Sequence, residues 1–314
     1  MPYTPTRRHA VLALMSTLAG AAAVRAQSFP SRPVRLLVPY PAGGGTDIMA
    51  RVLAEQMQSD LGQNVIVENR PGAGGAVGAG EVARSAADGH TVLVTAAGFV
   101  IGPSVLKTPG YDPTQDFVGV AQIAIVPLLV LVPPTSRFKS FQDVIDAARR
   151  GDTLSFASFG NATPSHLIGE AINHHAQVKV LHVPYRGGMQ AFPDVVAGRV
   201  DFAILDAVSM TPFVKDGRLR ALAVTGPRRL PALPDLPTLV DLGIPFDAVG
   251  WHGVFAPAAT PKDVVARLNA AFVKAVSQPA IRARIVDGGS VPIEPALTPE
   301  QWTTQFRPPT GCCR

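Results

Sequence analysis

The most chemically suggestive stretch of the chain is PAGGGTD, Pro41–Asp47, which follows an apolar run and opens a helical pattern. Glycines let a ligand approach the backbone, and the free N–H groups at a helix N-terminus carry a partial positive charge. The three glycines therefore suit a carboxylate, and Thr46 adds a hydroxyl group. Asp47 either caps the helix or accepts a hydrogen bond from a ligand's ammonium or hydroxyl group; a tight turn with an acidic cap is the plain structural alternative.

Three further loops have the same setting, after a strand-like run and before a helical pattern. SFGNATPSH, Ser158–His166, contains a glycine and polar side chains, although Thr163 followed by proline is also an ordinary helix start. VPYRGG, Val183–Gly188, offers Arg186, which either binds a carboxylate with its planar fork or is simply solvated. Asp206 ends the run VDFAIL and faces either a cleft or a helix start. These loops predict anion recognition.

Catalytic motifs are poor by comparison. The best nucleophile elbow, FASFG at Phe156–Gly160, has phenylalanine where G-x-S-x-G requires glycine. PGAGGAVGAG, Pro71–Gly80, departs from the dinucleotide fingerprint at Val77, and GGGTD lacks the lysine of a P-loop. Cys312 and Cys313 are adjacent at the C-terminus, and the histidines lack zinc-site spacing. With no nucleophile–base pair in the sequence, we predict a binding protein without metal or cofactor, not an enzyme.

The elements that position these loops are apolar runs that alternate with helical patterns. This alternation predicts an α/β fold with parallel strands buried on both faces. The pattern restarts after Val126, which predicts a second α/β unit, with a crossover at the two prolines after Val132 and a return to the first unit at Gly250. Ligands of open α/β sheets bind beyond the carboxyl ends of the strands, where the four loops lie. The predicted strands are Val34–Val38, Asn64–Glu68, Thr91–Thr95, Val126–Val132, Leu154–Ser158, Val178–Val183, Val200–Leu205, Arg218–Val224 and Gly250–Pro257.

The first residues have the pattern of a secretory signal peptide. Arg7 and Arg8 precede the short apolar run Ala10–Val24, and cleavage is expected after Ala26. The arginine pair fits an ordinary basic region or a twin-arginine signal. Cleavage removes these two arginines and Arg25, which lowers the formal net charge from +5 to +2. With no basic run in the remaining chain, we expect an exported, soluble protein without a nucleic-acid partner.

Many ordered motifs resemble the Bug-type extracytoplasmic solute receptors of tripartite tricarboxylate transporters. The resemblance extends from Phe29 to about Gln305 and rests on VPYPAGGGTDIMAR, VIVENRPGAGGAVGA, DGHTVLV, YDPTQDFVGV, FASFGNATPSHLIGE, HVPYRGGMQAFPDVVAGRVDFAILD, GRLRALAVTGPRRLPALPDLPTL and FAPAATPKDVVARL.

The resemblance implies a two-domain periplasmic binding protein of the Venus flytrap, type II-like class. Each domain is expected to hold a mostly parallel sheet flanked by helices, with residues 1–26 as signal peptide, 27–127 and 250–314 as the first domain, and 128–249 as the second. A monomer in the periplasm would capture a small organic acid or amino acid and deliver it to membrane permease subunits. The alternatives are a sensor that signals to a membrane partner and, far behind, an exported hydrolase.

The resemblance also implies a set of ligand-binding residues. These are Tyr40, Gly43, Gly44, Gly45, Thr46 and Asp47 from the first domain, and Ser158, Gly160, Asn161, Thr163, Tyr185, Arg186, Gly187 and Asp206 from the second. Phe159 and Ala162 stand where the family has smaller or Gly-like residues. The chain ends in RPPTGCCR, Arg307–Arg314, where the family continues into an amphipathic helix. Because Pro308 and Pro309 cannot continue a helix, we expect a truncated or frame-shifted end that leaves apolar surface of the first domain uncovered.

Overall fold

The structure is a computed structural model that describes residues 29–306. Its strands are β1 (Val34–Val38), β2 (Val65–Asn69), β3 (Thr91–Ala96), β4 (Phe117–Val126), β5 (Leu128–Val132), β6 (Ser155–Ser158), β7 (Leu181–Pro184), β8 (Phe202–Asp206), β9 (Arg220–Val224), β10 (Gly250–Pro257) and β11 (Val291–Pro292). Its α-helices are α1 (Gly45–Leu61), α2 (Ala76–Ala83), α3 (Gly98–Val105), α4 (Phe141–Arg149), α5 (Pro164–Ala176), α6 (Gly188–Val196), α7 (Ala207–Lys215), α8 (Lys262–Ser277), α9 (Pro279–Asp287) and α10 (Pro299–Phe306).

The strands form two separate sheets. One has six strands in the order β11-β4-β10-β3-β1-β2, and the other has five in the order β7-β6-β8-β5-β9. We call each sheet with its flanking helices a lobe: the six-stranded lobe comprises 29–126 and 250–306, and the five-stranded lobe 128–249. Two α/β lobes, each built on its own sheet, confirm the predicted two-domain fold.

Strand direction shows how the chain passes between the lobes. The pairs β1–β2, β1–β3, β6–β7 and β6–β8 are parallel, as the sequence pattern predicts. By contrast, β5 runs antiparallel to β8 and β9, and β10 runs antiparallel to β3 and β4. Both sheets are therefore mixed. Two of the three reversed strands, β5 and β10, are the first that the chain forms after it enters each lobe from the other; the third is the short edge strand β11, antiparallel to β4.

The predicted strand Val126–Val132 is wrong as a single element. The chain divides at Pro127: Val126 ends β4 in the six-stranded sheet, and Leu128 starts β5 in the five-stranded sheet. The crossover therefore lies within this apolar run, at Pro127, and not at the prolines after it. An unbroken apolar run could not reveal the break, because both strands are equally buried. Helix α3 was also missed, since its GFVIGPSV sequence has little polar face.

Each sheet is covered on both faces. In β1, Leu36 and Leu37 point to opposite faces and are both fully buried. Leu36 lies in the core with Met57 of α1 and Phe272 of α8. Leu37 lies in a second core that includes Trp302 of α10. Burial on both faces explains the continuous apolar strands and leaves the strand ends as the polar edges.

The predicted signal peptide and the RPPTGCCR end lie outside the described residues, so both expectations about them stay predictions. Across 29–306, no helix combines the length and the apolar character needed to cross a membrane. Within the same residues, no cluster of three or more His, Cys, Asp or Glu side chains could hold a metal ion.

Candidate ligand-binding cleft

A cleft with an empty volume of about 720 Å³ lies between the two lobes. Its walls are the loops that join strands to helices, from both lobes. Its floor is formed where the chain crosses between them, by Val126, Leu128 and the start of β10 at Gly250 to His252. This is the position that the α/β fold favours for a ligand, beyond the carboxyl ends of parallel strands.

Five helices begin at this cleft, and they differ in how their first N–H groups are satisfied. Thr163 caps α5 through its hydroxyl group, and Asp206 caps α7 through its carboxylate. Helices α1, α3 and α6 start after Gly44, Ala97 and Gly187, and none of these has a side-chain cap. Uncapped N-termini need an outside acceptor and favour an anion. Three such termini therefore face one cleft, two from the six-stranded lobe and one from the five-stranded lobe.

Asp47 stabilises the glycine loop from within. Its carboxylate accepts hydrogen bonds from the Gly43 N–H at 2.9 Å, from Arg51 Nε at 3.0 Å and from Asn69 Nδ2 at 3.0 Å. Gly43 has a φ of 80°, in the left-handed region that favours glycine. Burial alone would raise the pKa of Asp47, but the hydrogen bonds from Arg51, Gly43 and Asn69 outweigh it and lower the pKa. The ionised carboxylate thus holds the loop, and it does not line the cleft.

Thr46 and His252 connect the glycine loop to the floor. The Thr46 hydroxyl lies 3.2 Å from His252 Nε2, although the two residues are far apart in sequence. His252 is buried, and its Nδ1 has no hydrogen-bond partner among the described residues. Burial lowers the pKa of His252 to about 4, so the imidazole is neutral at physiological pH. It can orient the Thr46 hydroxyl without adding a charge to the cleft.

Asp206 lies at a close contact between the two lobes. Its Oδ1 accepts from the Ser209 N–H at 2.9 Å, and its Oδ2 accepts from the Ser209 hydroxyl at 2.8 Å. Burial raises the pKa of Asp206 despite these bonds. A Cβ placed on Gly45 would lie only 2.4 Å from Asp206 Oδ1, and one on Gly188 would lie 3.7 Å from Oδ2. The carboxylate therefore sits against the first turns of α1 and α6 as well as its own helix.

Ser158 is directed away from the cleft, into a histidine pair. Its hydroxyl lies 2.6 Å from His182 Nε2 and accepts from the Gly160 N–H at 3.0 Å. His182 stacks on His166 with ring centroids 4.1 Å apart, and burial followed by the neighbouring His166 lowers its pKa. The sequence had suggested no nucleophile–base pair, and this Ser–His contact corrects that expectation. The serine is fully buried and outside the cleft lining, so the pair orders the loop.

Two further predicted residues serve other contacts. The Tyr185 hydroxyl donates to Asp194 at 2.7 Å, and burial together with this carboxylate raises the pKa of Tyr185 to about 12. The Asn161 carbonyl lies 3.3 Å from a Cβ built on Gly74 of the other lobe. Ala162 adopts a φ of 59°, which fits the Gly-like character expected at this position. This loop therefore closes one end of the cleft by backbone contact.

The predicted set thus divides into residues that line the cleft and residues that hold its loops. The cleft lining includes Tyr40, Gly44, Gly45, Thr46, Thr163, Arg186, Gly187 and Asp206. The lining does not include Gly43, Asp47, Ser158, Gly160, Asn161 or Tyr185. The lining residues that sequence reasoning missed as ligand contacts include Gly98, Gly188, Gln190, Trp251 and His252. A signal was available for His252: a histidine near the start of an otherwise apolar strand, at the point where the chain returns to its first unit.

Arg186 and Tyr40 complete the polar lining. Arg186 is exposed and has no ion pair with another described residue, which leaves its guanidinium group able to bind a ligand. The Tyr40 hydroxyl lies 3.2 Å from Thr95 Oγ1, and burial raises the pKa of this phenol. The cleft therefore offers one exposed cation, the Asp206 carboxyl group, neutral hydroxyl and imidazole groups, and open helix N-termini, a combination that suits a small anion.

Comparison with known proteins agrees with this geometry. Residues 49–307 match the tripartite tricarboxylate transporter family receptor, and the chain belongs to this family of periplasmic solute receptors. It is 42% identical over 271 residues to the UPF0065 protein in the tcbD-tcbE intergenic region of Pseudomonas sp. strain P51, covering 85% of this chain and 81% of that protein. It is 34% identical over 301 residues to protein BugT of Bordetella pertussis, covering 94% and 92% of the two chains.

Solved structures show the same fold. The periplasmic binding protein BugD superposes with a TM-score of 0.84 at 34% identity, covering 88% of this chain and 94% of that one. MatC from Rhodopseudomonas palustris, with bound malate, gives 0.82 at 32% identity, covering 88% and 96%. An R. palustris protein with adipate gives 0.84 at 31% identity, covering 88% and 93%. Both ligands are dicarboxylates.

Proposed function

We propose that this protein captures a small carboxylated solute in the cleft between its lobes. The observation that carries the proposal is the convergence of three helix N-termini without side-chain caps, beside Arg186, on one cleft. Each uncapped terminus offers N–H donors and a partial positive charge to a carboxylate. The malate and adipate in the two related structures support the same ligand class.

The lobes act as two domains that close over the solute, with boundaries at 127/128 and 249/250. Glycines at the contact between the lobes support this. A Cβ on Gly187 would lie 3.3 Å from Pro41 Cγ, and a Cβ on Gly43 would lie 3.9 Å from Met189 Cγ. Such close seating across the cleft suits a structure in which ligand binding draws the walls together.

Delivery completes the proposed role. Residues 1–26 direct export to the periplasm, where the monomeric receptor hands its solute to the permease of a tripartite tricarboxylate transporter. Membership of the receptor family supports this step. A sensor feeding a membrane signalling partner remains the alternative, and uptake by cells with and without the permease separates the two roles.

The receptor works by binding and not by turnover. Ser158, the residue closest to a nucleophile, is fully buried and bonded to His182. Its hydroxyl group cannot reach a substrate in the cleft without moving the loop that it holds. We expect Ser158→Ala to lower stability slightly and to change no hydrolytic rate, measured with ester substrates.

A ligand screen tests the proposal. The purified mature protein is unfolded, dialysed free of bound solute and refolded, then melted with mono-, di- and tricarboxylates, amino acids and aromatic acids. A ligand that binds only the folded state raises the melting temperature by mass action. At least one acid should raise it. A cooperative melt that no acid shifts would contradict the proposed carboxylate site.

A further inference from the structure

The cleft lining has few charged side chains. Among the described lining residues, Arg186 is the basic side chain, Asp206 is an acid whose pKa is raised by burial, and the buried His252 is neutral. The remaining positive potential comes from the three uncapped helix N-termini, each equivalent to about half an elementary charge. Arg186 and these termini together therefore compensate two carboxylates at most, and not a third.

A tricarboxylate would exceed this compensation. Its third carboxylate would either be buried without a partner or prevent the lobes from closing, and an uncompensated buried charge is strongly unfavourable. Asp206 adds no compensation, because it is an acid, and its carboxyl group occupies the junction between Gly45 and Gly188.

Much of the remaining lining is apolar. Val126 and Leu128 form the floor, and Phe159, Met189 and Trp251 stand around it. Trp251 is held in place by edge-on packing against Trp302, with ring centroids 5.0 Å apart. A ligand with a hydrocarbon body removes this surface from water, and each buried methylene raises affinity by about fourfold.

We infer that the cleft favours acids with one or two carboxylates on an apolar body, and excludes tricarboxylates. The inference rests on the proposed function, because it names the class of carboxylate that the receptor takes. It is drawn from the small number of compensating charges in the cleft and from the apolar floor of the cleft.

Six-carbon acids of increasing charge test the inference. Hexanoate, adipate and tricarballylate carry one, two and three carboxylates, and calorimetry measures the affinity of the refolded mature protein for each. Hexanoate and adipate should bind, with tricarballylate weaker than adipate by roughly tenfold or more, as one uncompensated charge requires. Succinate, two methylenes shorter than adipate, should bind about fifteenfold more weakly.

A matched pair of variants tests the apolar contact. Phe159→Ala should weaken adipate binding more than succinate binding. Phe246→Ala removes a partly buried ring from the same lobe outside the cleft and should leave the adipate-to-succinate ratio unchanged. The melting temperatures of both variants establish that they are folded.

The outcomes separate the inference from the proposed function. Tricarballylate binding as tightly as adipate, or succinate binding as tightly as adipate, would overturn the inference while leaving a carboxylate receptor. Binding of none of the four acids, by a protein that melts cooperatively, would overturn both.

Discussion

The first turns of α1 and α7 face each other across the cleft and are built in opposite ways. Both helices follow an interior strand, β1 in one lobe and β8 in the other. Helix α7 carries its own anion, the Asp206 carboxylate bonded to the Ser209 N–H. Helix α1 starts at Gly44 without a side-chain cap. The first turn of α7 is thus capped by a carboxylate of its own lobe, whereas the first turn of α1 has no side-chain cap and can bind an external anion.

The contact between these two helix ends explains their difference. Gly45 lies against Asp206 and also against Val208, whose Cβ would be 3.1 Å from a Cβ on Gly45. A side chain at Gly45 would hold the lobes apart. The open end therefore requires glycine at this position, and the closed end can carry a carboxylate.

Adding one carbon at the open end should have the largest effect. In Gly45→Ala the new Cβ would lie 2.4 Å from Asp206 Oδ1. Because the lobes must move apart to remove this overlap, adipate should bind roughly thirty- to a hundredfold more weakly. The stability of the unliganded protein should change little, because the lobes can move apart when no ligand holds them together. Calorimetry and urea unfolding measure the two effects.

The neighbouring glycine provides the comparison for this variant. A Cβ on Gly44 would meet the Pro41 carbonyl at an ordinary 3.4 Å, so Gly44→Ala should cause a much smaller loss. Equal losses for the two variants would show that closure against Asp206 does not limit binding.

The pH dependence of protein stability tests whether the His252 imidazole beneath α1 is neutral. The folded pKa of His252 is about 4, below its ordinary value of 6.5, so the unfolded chain takes up the proton first as pH falls. The contribution of His252 to the free energy of unfolding is therefore largest above pH 6.5 and decreases as the pH falls towards 4. The decrease between pH 7 and pH 5 is about 2 kcal/mol. His252→Gln should flatten that decline in urea unfolding.

Two controls isolate this contribution. His175→Gln replaces an exposed histidine away from the cleft and is the matched control for the loss of an imidazole. Asp206 has a raised pKa, so its contribution has the opposite sign, with stability lost as pH rises through its folded pKa. Asp206→Asn should therefore steepen the acid decline, and a profile unaffected by His252→Gln would contradict a neutral buried imidazole.

Removing the guanidinium group of Arg186 from the cleft wall of the five-stranded lobe should have an intermediate effect on adipate affinity. Arg186→Gln should weaken adipate binding by about tenfold, the typical worth of a hydrogen bond to a charged group, and reduce its salt dependence. Arg228→Gln removes an exposed arginine of the same lobe outside the cleft and is the matched control. If both variants bind adipate equally well, Arg186 is merely solvated.

The smallest effect on affinity should come from the acid inside the glycine loop. Asp47→Asn loses charge-assisted bonds from Arg51 and Gly43, and stability should fall by about 1–2 kcal/mol. Because Asp47 lies outside the cleft lining, adipate affinity should change less than about threefold. Asp60→Asn, which breaks ion pairs with Arg267 and Lys274, is a control for stability alone. A large loss of affinity in Asp47→Asn would show direct ligand contact.

The sequence by itself determined the local architecture. Apolar runs, glycines and N-cap residues act over a few positions, so the strands, the helix starts and the strand-to-helix setting of PAGGGTD and Asp206 could be predicted. The same motifs supported the family resemblance, which the family comparison confirms. For this reason, more than half of the predicted site residues line the cleft.

Only the tertiary structure decided which side chains face the ligand space. Ser158 and Asp47 have the right types in the right loops, yet both point to partners inside their own lobes, His182 and Asn69. His252 meets Thr46 because the chain leaves the six-stranded lobe at Pro127 and returns at Gly250. Local patterns cannot encode such a meeting, since it depends on how two sheets built from distant segments are placed against each other.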